Sequence, residues 1–466
     1  MREKKDLLAY IREGKTMTRR EKLNLIVELS IPSILAQISA TVMFFIDYAM
    51  VGHLGEKATA SVGLVESSTW LMGGLASAVS MGFSVQVAHF IGANDFEAAR
   101  RVLRQSLVCC LAWSLMLSLG CVAIYRQLPF WLGGTADIAP DASMYFLIIG
   151  LSGVLFQMEG LAGSMLKCSG NMKIPSALNI LMCVMDVVFN YFFIYILGFG
   201  VAGAAMGTGV AFCLTAGLML YFLLWRSPML GLFLTRPPAS NEQNDWPSFR
   251  PQADVIKTAF KIGAPMGLQH LLMGSAQVVS TIIVAPLGTI AIAANSMAIT
   301  VESLCYMPGY GIAEAATTLV GQGIGAGQRA LTRSFAYMSV GLGMAVMTFM
   351  AVLMFVFAPE LMGVLSPVDA IVEQGAQALR IEAFAEPMFA ATIVVNGVLI
   401  GAGDTLVPAI MSLTSMWGVR LTLAAWLAPV YGLRGVWTAM AIDLTTRGVM
   451  FLARLVRGNW QDKLKS

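Results

Sequence analysis

The residues in this sequence best suited to chemistry are polar side chains within long apolar stretches. Asp47 lies near the end of the stretch that precedes Gly55. A carboxylate in such a position costs roughly 2.5–3.5 kcal/mol on membrane-insertion scales, so it is rare and usually faces a cavity or a partner. Another stretch carries Asn179, Asp186 and Asn190, whose spacing places all three side chains on one face of a helix. A polar face of this kind must point to protein or water.

A depth count along the helices predicts that four of these side chains meet. At about 1.5 Å per residue, Asp47, Asn190 and Thr208 each lie about 10 Å from the outer ends of their helices. By the same rise, Asp186 lies about one turn deeper. The four side chains are therefore predicted to form one pocket in the N-terminal half of the chain.

The predicted pocket offers two kinds of cation chemistry. Two close, desolvated carboxylates can share a proton. Carboxylate, amide and hydroxyl oxygens together suit Na⁺, a hard cation that prefers oxygen ligands. Alternatively, Asp186 and Asn190 only hold their helix to its neighbours by hydrogen bonds, as polar groups in membrane bundles often do. We expect no other cofactor, because the seven cysteines show no metal-ligand spacing.

The composition defines the class of protein that must position these residues. Of 466 residues, 57% are hydrophobic and only 12% are charged, with a mean hydropathy of +0.73. Ordinary soluble domains are about 25% charged, so the chain is predicted to be an all-α integral membrane protein. No cluster of basic and aromatic residues suggests nucleic acid as a partner. The partner expected from composition is the lipid bilayer.

Twelve apolar segments are long enough to cross a membrane, which takes about 20 helical residues. They lie near 27–52, 60–91, 103–125, 143–166, 175–197, 201–225, 257–285, 290–322, 333–357, 378–400, 407–430 and 434–456. Most lysines and arginines fall on one side of this arrangement, which by the positive-inside rule is the cytoplasmic side. Both termini are therefore predicted to be cytoplasmic.

The twelve segments form a duplicated unit of six. Pro32 recurs as Pro265, and Ile91-Gly92-Ala93 recurs as Ile324-Gly325-Ala326. Six helices per unit give both units the same orientation. In membrane proteins that transport substrates and are built from such repeats, the substrate site tends to lie between the halves. The predicted domains are an N-terminal tail, a six-helix bundle, a linker, a second bundle and a C-terminal tail, at 1–24, 25–225, 226–255, 256–456 and 457–466.

Several separated motifs resemble those of one family, the multidrug and toxic compound extrusion (MATE) transporters. They are Asp47 with Val51-Gly52-His53-Leu54-Gly55, Leu319-Val320-Gly321-Gln322, and the run Gly397 to Thr405. The resemblance covers essentially the whole chain. It implies two pseudo-symmetric bundles around a central cavity, and efflux of organic, often cationic, compounds against Na⁺ or H⁺.

Within that family, the chain looks most similar to the DinF-like branch. Its members carry an aspartate on helix one and polar partners on helices five and six, which here match Asp47, Asp186, Asn190 and Thr208. The family order on helix five is asparagine followed by aspartate, and this chain has the reverse. The swap leaves the same side chains available, so the resemblance implies a coupling site but leaves the coupling ion open.

The C-terminal half lacks the equivalent acids. Ser280 stands at the position that corresponds to Asp47, and another MATE branch has acids where this chain has Met273 and Phe389. These differences argue against a C-terminal cation site of that branch's kind. Arg420 and Asp443 correspond to the neighbourhoods of Asp186 and Thr208, and we expect them to form a fixed ion pair.

Other polar residues in the apolar segments are weaker candidates. Those that we expect to line the cavity are Gln37, Asn179, Gln277, Glu66 and Glu302, with Glu159, Glu314, Glu382 and Glu386 as further acids in or beside the segments. A carboxylate in the cavity would attract a cationic substrate. Packing within the bundle or a place at a helix end is the alternative for each of them.

The predicted function is a secondary antiporter in a multi-pass topology, as a monomer in a bacterial inner membrane. Its small organic substrate would be amphipathic and cationic, and its coupling ion H⁺ or Na⁺. A related superfamily moves lipid-linked sugars, which a strongly basic cavity would favour, yet only Arg420 and Arg447 lie deep in a segment. A membrane enzyme would need a His, Asp or Glu cluster at the membrane edge with metal or acid-base spacing, and the sequence shows none. The sequence also lacks a Walker motif, so nothing suggests ATP as the energy source.

Overall fold

The computed structural model describes residues 7–233, 249–458 and 460–461, and these residues form helices and turns without a strand. The helices are α1 Leu7–Glu13, α2 Arg19–Gly52, α3 Glu56–Gly92, α4 Phe96–Ile124, α5 Leu128–Trp131, α6 Ala139–Cys168, α7 Lys173–Tyr191, α8 Gly200–Tyr221, α9 Ala253–Val284, α10 Thr289–Gly325, α11 Arg329–Val356, α12 Ala358–Leu365, α13 Asp369–Ala383, α14 Glu386–Gly401, α15 Leu406–Ser415, α16 Thr422–Tyr431 and α17 Leu433–Arg457. Three π-helical turns, Phe192–Ile196, Phe222–Arg226 and Met416–Leu421, follow α7, α8 and α15.

All twelve predicted segments coincide with these helices. Ten helices within the described residues are long and apolar enough to cross a membrane, counting α15, α16 and the π turn between them as one. The tenth predicted segment is a pair, α13 and α14, bent by 60° at a short break. The last segment, α17, is more polar because it includes Arg434, Asp443, Arg447 and Arg454. The prediction of an all-α membrane protein is confirmed.

Local sequence signals explain where two helices begin. Thr18 and Glu21 form a capping box before α2: the Glu21 carboxylate accepts from Thr18 N at 2.9 Å, and the Thr18 hydroxyl accepts from Glu21 N at 3.2 Å. The Asp95 side chain accepts from Ala98 N at 3.0 Å and caps α4. Each interaction satisfies backbone donors that the first turn of a helix leaves unpaired.

The turns repeat at the spacing of the duplication. Gly55 and Gly288 precede α3 and α10 with φ of 109° and 100°, and Gly170 and Gly403 turn with φ of 93° and 76°. Both pairs lie 233 positions apart (288 − 55 and 403 − 170). Because only glycine adopts these positive φ angles at little cost, the duplicated sequence keeps glycine where the backbone conformation requires it.

The chain divides into two compact units. Unit one comprises Met1–Ile38 with Leu268–Ser466, and unit two comprises Ser39–Gly267. The divisions lie inside α2 and α9, not in the linker predicted at 226–255, whose residues 234–248 lie outside the described residues. The repeat-based domain ranges remain a prediction.

Close helix contacts hold each unit together at small residues. In unit two, a Cβ on Gly82 of α3 would lie 2.4 Å from the carbonyl oxygen of Ala259 on α9. In unit one, a Cβ on Gly397 of α14 would lie 2.6 Å from the carbonyl oxygen of Ala313 on α10. Thr317 Oγ1 also donates to the Gly397 carbonyl at 2.8 Å. Small residues that let backbones touch are the usual basis of helix association in membranes.

Candidate functional site

One asparagine joins the two aspartates of the predicted pocket, and all three residues lie in unit two. Asn190 Nδ2 donates to Asp47 Oδ1 at 3.0 Å and to Asp186 Oδ2 at 3.1 Å. Asp47 is on α2, while Asp186 and Asn190 are four residues apart on α7. The Asn190 amide group therefore donates both of its hydrogens to carboxylates. The reversed order of Asp186 and Asn190 is compatible with this bridge, because the two side chains still share one helical face.

Helix α8 forms another wall of the site. Thr208 is next to Asp186 and interacts with its carboxylate, and its hydroxyl donates to the Ala204 carbonyl at 3.1 Å. The preceding residue, Gly207, lets α8 approach α7 closely, since a Cβ there would lie 2.0 Å from Asn190 Oδ1. The structure thus brings together all four side chains that the depth count grouped.

Two oxygens of the site are left without a hydrogen-bond partner. Asp186 and Asn190 are 0% and 1% exposed, and Asp47 is half-buried. Within the described residues, nothing donates to Asp186 Oδ1 or Asn190 Oδ1. Buried polar atoms are almost always paired, so each exception calls for an explanation. Both oxygens can only accept hydrogen bonds or coordinate a cation. A proton or a small cation such as Na⁺ would therefore supply the partner that each oxygen lacks.

Further ionisable groups surround the pair. Tyr145 on α6 lies within electrostatic range of Asp47, Glu66 and Asp186. Glu66 on α3 accepts a hydrogen bond from the Tyr48 hydroxyl and another from Trp70 Nε1 at 3.2 Å. The Glu66 carboxylate is thus hydrogen-bonded to two aromatic side chains beside the site.

Two residues of this site are absent from the sequence-based prediction. Tyr145 could have been found by the same depth count, because it lies about 9 Å along α6 from the first residue of that helix. Gly207 follows Gly203 on α8 with a spacing typical of close helix contacts. Both signals are weak alone, because tyrosine is common at membrane interfaces and glycine is common throughout membrane helices.

Other predicted cavity residues lie apart from the bridged aspartates. Gln37 donates to Glu314 Oε1 at 3.3 Å, within unit one. Asn179, with its amide nitrogen oriented toward acceptors, donates to Glu159 Oε1 at 3.1 Å and to the Pro175 carbonyl at 3.2 Å. The Gln277 side chain is exposed. Asn179 therefore does not join the pocket, even though it shares a face with Asp186.

The structure corrects the ion pair expected between Arg420 and Asp443. Asp443 pairs instead with Arg447, one helical turn along α17, and accepts a hydrogen bond from the Ser415 hydroxyl. Arg420 Nη2 contacts the Met440 sulfur at 2.8 Å. The physical reason is proximity: an i,i+4 partner on the same helix reaches the carboxylate without crossing between helices.

Comparison with known proteins identifies the family. The MatE family model matches residues 32–192 and 265–426. The probable multidrug resistance protein NorM of Thermotoga maritima is 25% identical over 445 residues, which cover 94% of this chain and 93% of that protein. The multidrug resistance protein MdtK of Yersinia enterocolitica is 24% identical over 460 residues, covering 95% and 96%.

Solved structures share the fold. A crystal structure of MATE in complex with MaL6 superposes with a TM-score of 0.89 at 20% identity, covering 98% of this chain and all of that one. An outward-facing multidrug resistance MATE family transporter of the MOP superfamily gives 0.87 at 20% identity, covering 98% and 99%. The two ranges matched by the family model make up most of the chain, and the Thermotoga maritima relative aligns with 94% of it. The chain therefore belongs to the MatE family of membrane transporters and is not an enzyme.

Proposed function

We propose that this chain is a cation-coupled secondary antiporter that exports organic, amphipathic and cationic compounds. The observation that carries the proposal is the bridge from Asn190 to Asp47 and Asp186, with buried oxygens left unpaired. The names of its relatives, NorM and MdtK, are those of multidrug resistance proteins and support the same substrate class.

Ion binding at the bridge would change the charge of a buried site. Two carboxylates that share one amide donor repel each other, and a proton or Na⁺ relieves that repulsion. A proton on Asp186 Oδ1 would turn that oxygen into a donor. A proton on Asp47 would instead be donated to the Asp186 carboxylate in a hydrogen bond. Na⁺ would instead be held by the free oxygens of Asp186 and Asn190. The coupling ion is therefore H⁺ or Na⁺, and both use the same side chains.

Coupling requires only that ion and substrate favour different conformations. Each ligand shifts the equilibrium by its difference in affinity for the two states, and the effect is reciprocal. The bridged residues lie on α2 and α7 and Thr208 lies on α8, so a change in charge alters how three helices are held together. We further propose that the chain acts as a monomer in a bacterial inner membrane with both termini cytoplasmic.

The test is drug efflux in everted vesicles under a pH gradient alone and under a Na⁺ gradient alone. Asp47→Asn and Asp186→Asn should each abolish efflux driven by the gradient that drives the wild type. Asp141→Asn is the matched control, since Asp141 is an exposed acid at the start of α6. Undiminished gradient-driven efflux in both site variants would refute the coupling site. If the wild type confers no drug resistance on a sensitive host, the lipid-linked saccharide alternative gains support.

A further inference from the structure

Three aromatic side chains of unit two surround a carboxylate on two neighbouring helices. Phe44 and Tyr48 lie one turn apart on α2, and Glu66 and Trp70 lie one turn apart on α3. The rings of Phe44 and Trp70 pack with their centroids 5.1 Å apart. The Tyr48 hydroxyl and Trp70 Nε1 both donate to the Glu66 carboxylate, the second at 3.2 Å. We call these four residues the aromatic box.

The aromatic box is accessible from outside unit two. Phe44, Tyr48 and Trp70 are 40%, 42% and 57% exposed, and Glu66 is half-buried. The face of an aromatic ring carries the negative part of its quadrupole, so exposed ring faces attract positive charge. A small molecule that reaches these rings also reaches the carboxylate that they surround.

Glu66 has hydrogen-bond donors but no cation. In the ranges 7–233 and 249–458, no lysine, arginine or histidine forms an ion pair with it. Lys57, the basic residue nearest to it along α3, pairs with Asp137 at 3.7 Å. An acid in a membrane-spanning helix almost always faces the bundle interior or a water-filled cavity. Because Glu66 is partly exposed, a water-filled cavity is the environment that fits, and its negative charge is available to a ligand.

The duplicated half lacks the aromatic box, so the fold does not require it. The positions 233 residues later (277 − 44, 281 − 48, 299 − 66 and 303 − 70) hold Gln277, Thr281, Ile299 and Ser303. None of these side chains has an aromatic ring or a charge. Helices α9 and α10, the counterparts of α2 and α3, therefore form without such a cluster. Recognition of a ligand explains three rings around an acid better than helix packing does.

We propose that the aromatic box binds the positively charged group of the exported compound, such as a quaternary ammonium, a phosphonium or a protonated amine. A cation is attracted to the face of Trp, Tyr or Phe within about 6 Å of the ring centroid, and quaternary ammonium groups are typically held by aromatic cages. Glu66 supplies the opposite charge, and its two aromatic donors hold it in place. This inference rests on the proposed antiport and assigns the residues that select a cationic substrate.

The aromatic box adjoins the bridged aspartates. Tyr48 directly follows Asp47 in α2, and Tyr145 lies within electrostatic range of both Asp47 and Glu66. Two cations held this close together repel each other. The coupling ion at Asp47 therefore weakens binding of the organic cation in the box, and the organic cation weakens binding of the ion by the same factor. Such mutual opposition is what exchange of the two across a membrane uses.

The test measures binding of methyltriphenylphosphonium, a permanent organic cation, without transport. Full-length protein in lipid nanodiscs is titrated with the radiolabelled probe at constant pH, and binding to empty nanodiscs is subtracted. Glu66→Gln, which keeps the size of the side chain, should weaken binding about tenfold, because it removes the opposite charge. Trp70→Leu should weaken it about fivefold, because it removes a ring face. Glu56→Gln and Trp131→Leu, two exposed residues outside the box, are the matched controls and should leave the affinity unchanged.

A second variant and a neutral competitor separate recognition of charge from loss of structure. Trp70→Phe keeps an aromatic ring and should restore most of the affinity that Trp70→Leu loses. Triphenylphosphine oxide, which has nearly the shape of the probe but no net charge, should compete at least about tenfold more weakly than unlabelled probe. Wild-type affinity in both Glu66→Gln and Trp70→Leu would overturn the proposal. Equal competition by the neutral compound, or no measurable binding to the wild type, would overturn it as well.

Failure of this inference is separable from failure of the antiport. The double variant Asp47→Asn/Asp186→Asn should lose gradient-driven efflux and still bind methyltriphenylphosphonium. Loss of efflux in that variant, together with unchanged binding in every box variant, would refute the aromatic box alone. Binding that depends on Glu66, together with undiminished efflux in the aspartate variants, would refute the coupling site alone.

Discussion

Gly207→Ala is the substitution that tests the geometry of the bridged aspartates most directly. The new Cβ would lie 2.0 Å from Asn190 Oδ1 and 2.6 Å from the Asn190 backbone nitrogen. Rotating the Asn190 side chain relieves only the first contact. The second involves backbone, so α7 and α8 must separate by about 1 Å to reach ordinary packing distances.

The magnitude follows from two effects on the same residue. Overpacking a tight helix contact costs about 1–3 kcal/mol of folding free energy. Moving Asn190 also weakens its bonds to two carboxylates, and a bond to a charged group contributes about 1.5–3 kcal/mol. The two effects are not additive, because both act through the position of α7. We expect a lower unfolding temperature and a loss of ion-driven efflux of about tenfold or more, since 1.4 kcal/mol corresponds to a factor of ten.

The assay pairs thermal unfolding in detergent with ion-driven efflux in vesicles. Gly217→Ala is the control, because it lies on the same helix and a Cβ there meets no described atom within 4 Å. Alanine should stabilise that position by up to about 1 kcal/mol through helix propensity and leave efflux unchanged. If Gly207→Ala retains both wild-type stability and wild-type efflux, the close packing of α8 on Asn190 does not position the site.

Two predictions concern unit one. Arg447→Met should destabilise the protein by about 3–5 kcal/mol, because it leaves the buried Asp443 carboxylate without its cation; thermal unfolding against Arg434→Met, an exposed arginine on the same helix, measures the difference, and equal stability of the two variants would contradict it. Trp437→Phe should cost about 0.5–1.5 kcal/mol plus a small packing loss, because its indole nitrogen donates to Asn295 Oδ1 at 2.9 Å; an unchanged unfolding temperature would show that this bond adds no net stability.

The positions of the helices are predictable from the sequence, because the lengths of the apolar segments and the glycines of the turns can both be read from it. Every predicted span lies on a helix, and Gly55 and Gly288 turn as the duplication implies. The break between α13 and α14 is not predicted from the sequence, although Pro387 is the second residue of α14. A proline near a helix start is equally compatible with one continuous span that begins there, so the composition alone could not locate the bend.

The site was predictable in depth but not in rotation. Counting residues from the helix ends placed Asp47, Asp186 and Asn190 at compatible heights, and the structure brings them into contact. The depth of a residue along its helix does not show which neighbouring helix its side chain faces, because apolar residues surround it on all sides of the helix. For that reason the sequence alone presents Glu302 and Glu382 as separate candidates, although carboxylate oxygens of the two lie within 4.8 Å of each other. The i,i+4 spacing of Asp443 and Arg447 is present in the sequence, whereas the repeat alignment points to Arg420 as the partner.

The division of the chain inside α2 and α9 has a consequence for biosynthesis. Unit two is continuous, Ser39–Gly267, and all of its residues leave the ribosome before unit one is complete. Residues up to Ile38 belong with a partner sequence that begins at Leu268, and Lys22 reaches Ser334 while Ser33 reaches Glu314. Domains generally fold as units during synthesis. The N-terminal part of α2, up to Ile38, therefore enters the membrane more than two hundred residues of translation before the rest of unit one is made. Unit two is complete and able to assemble during that interval.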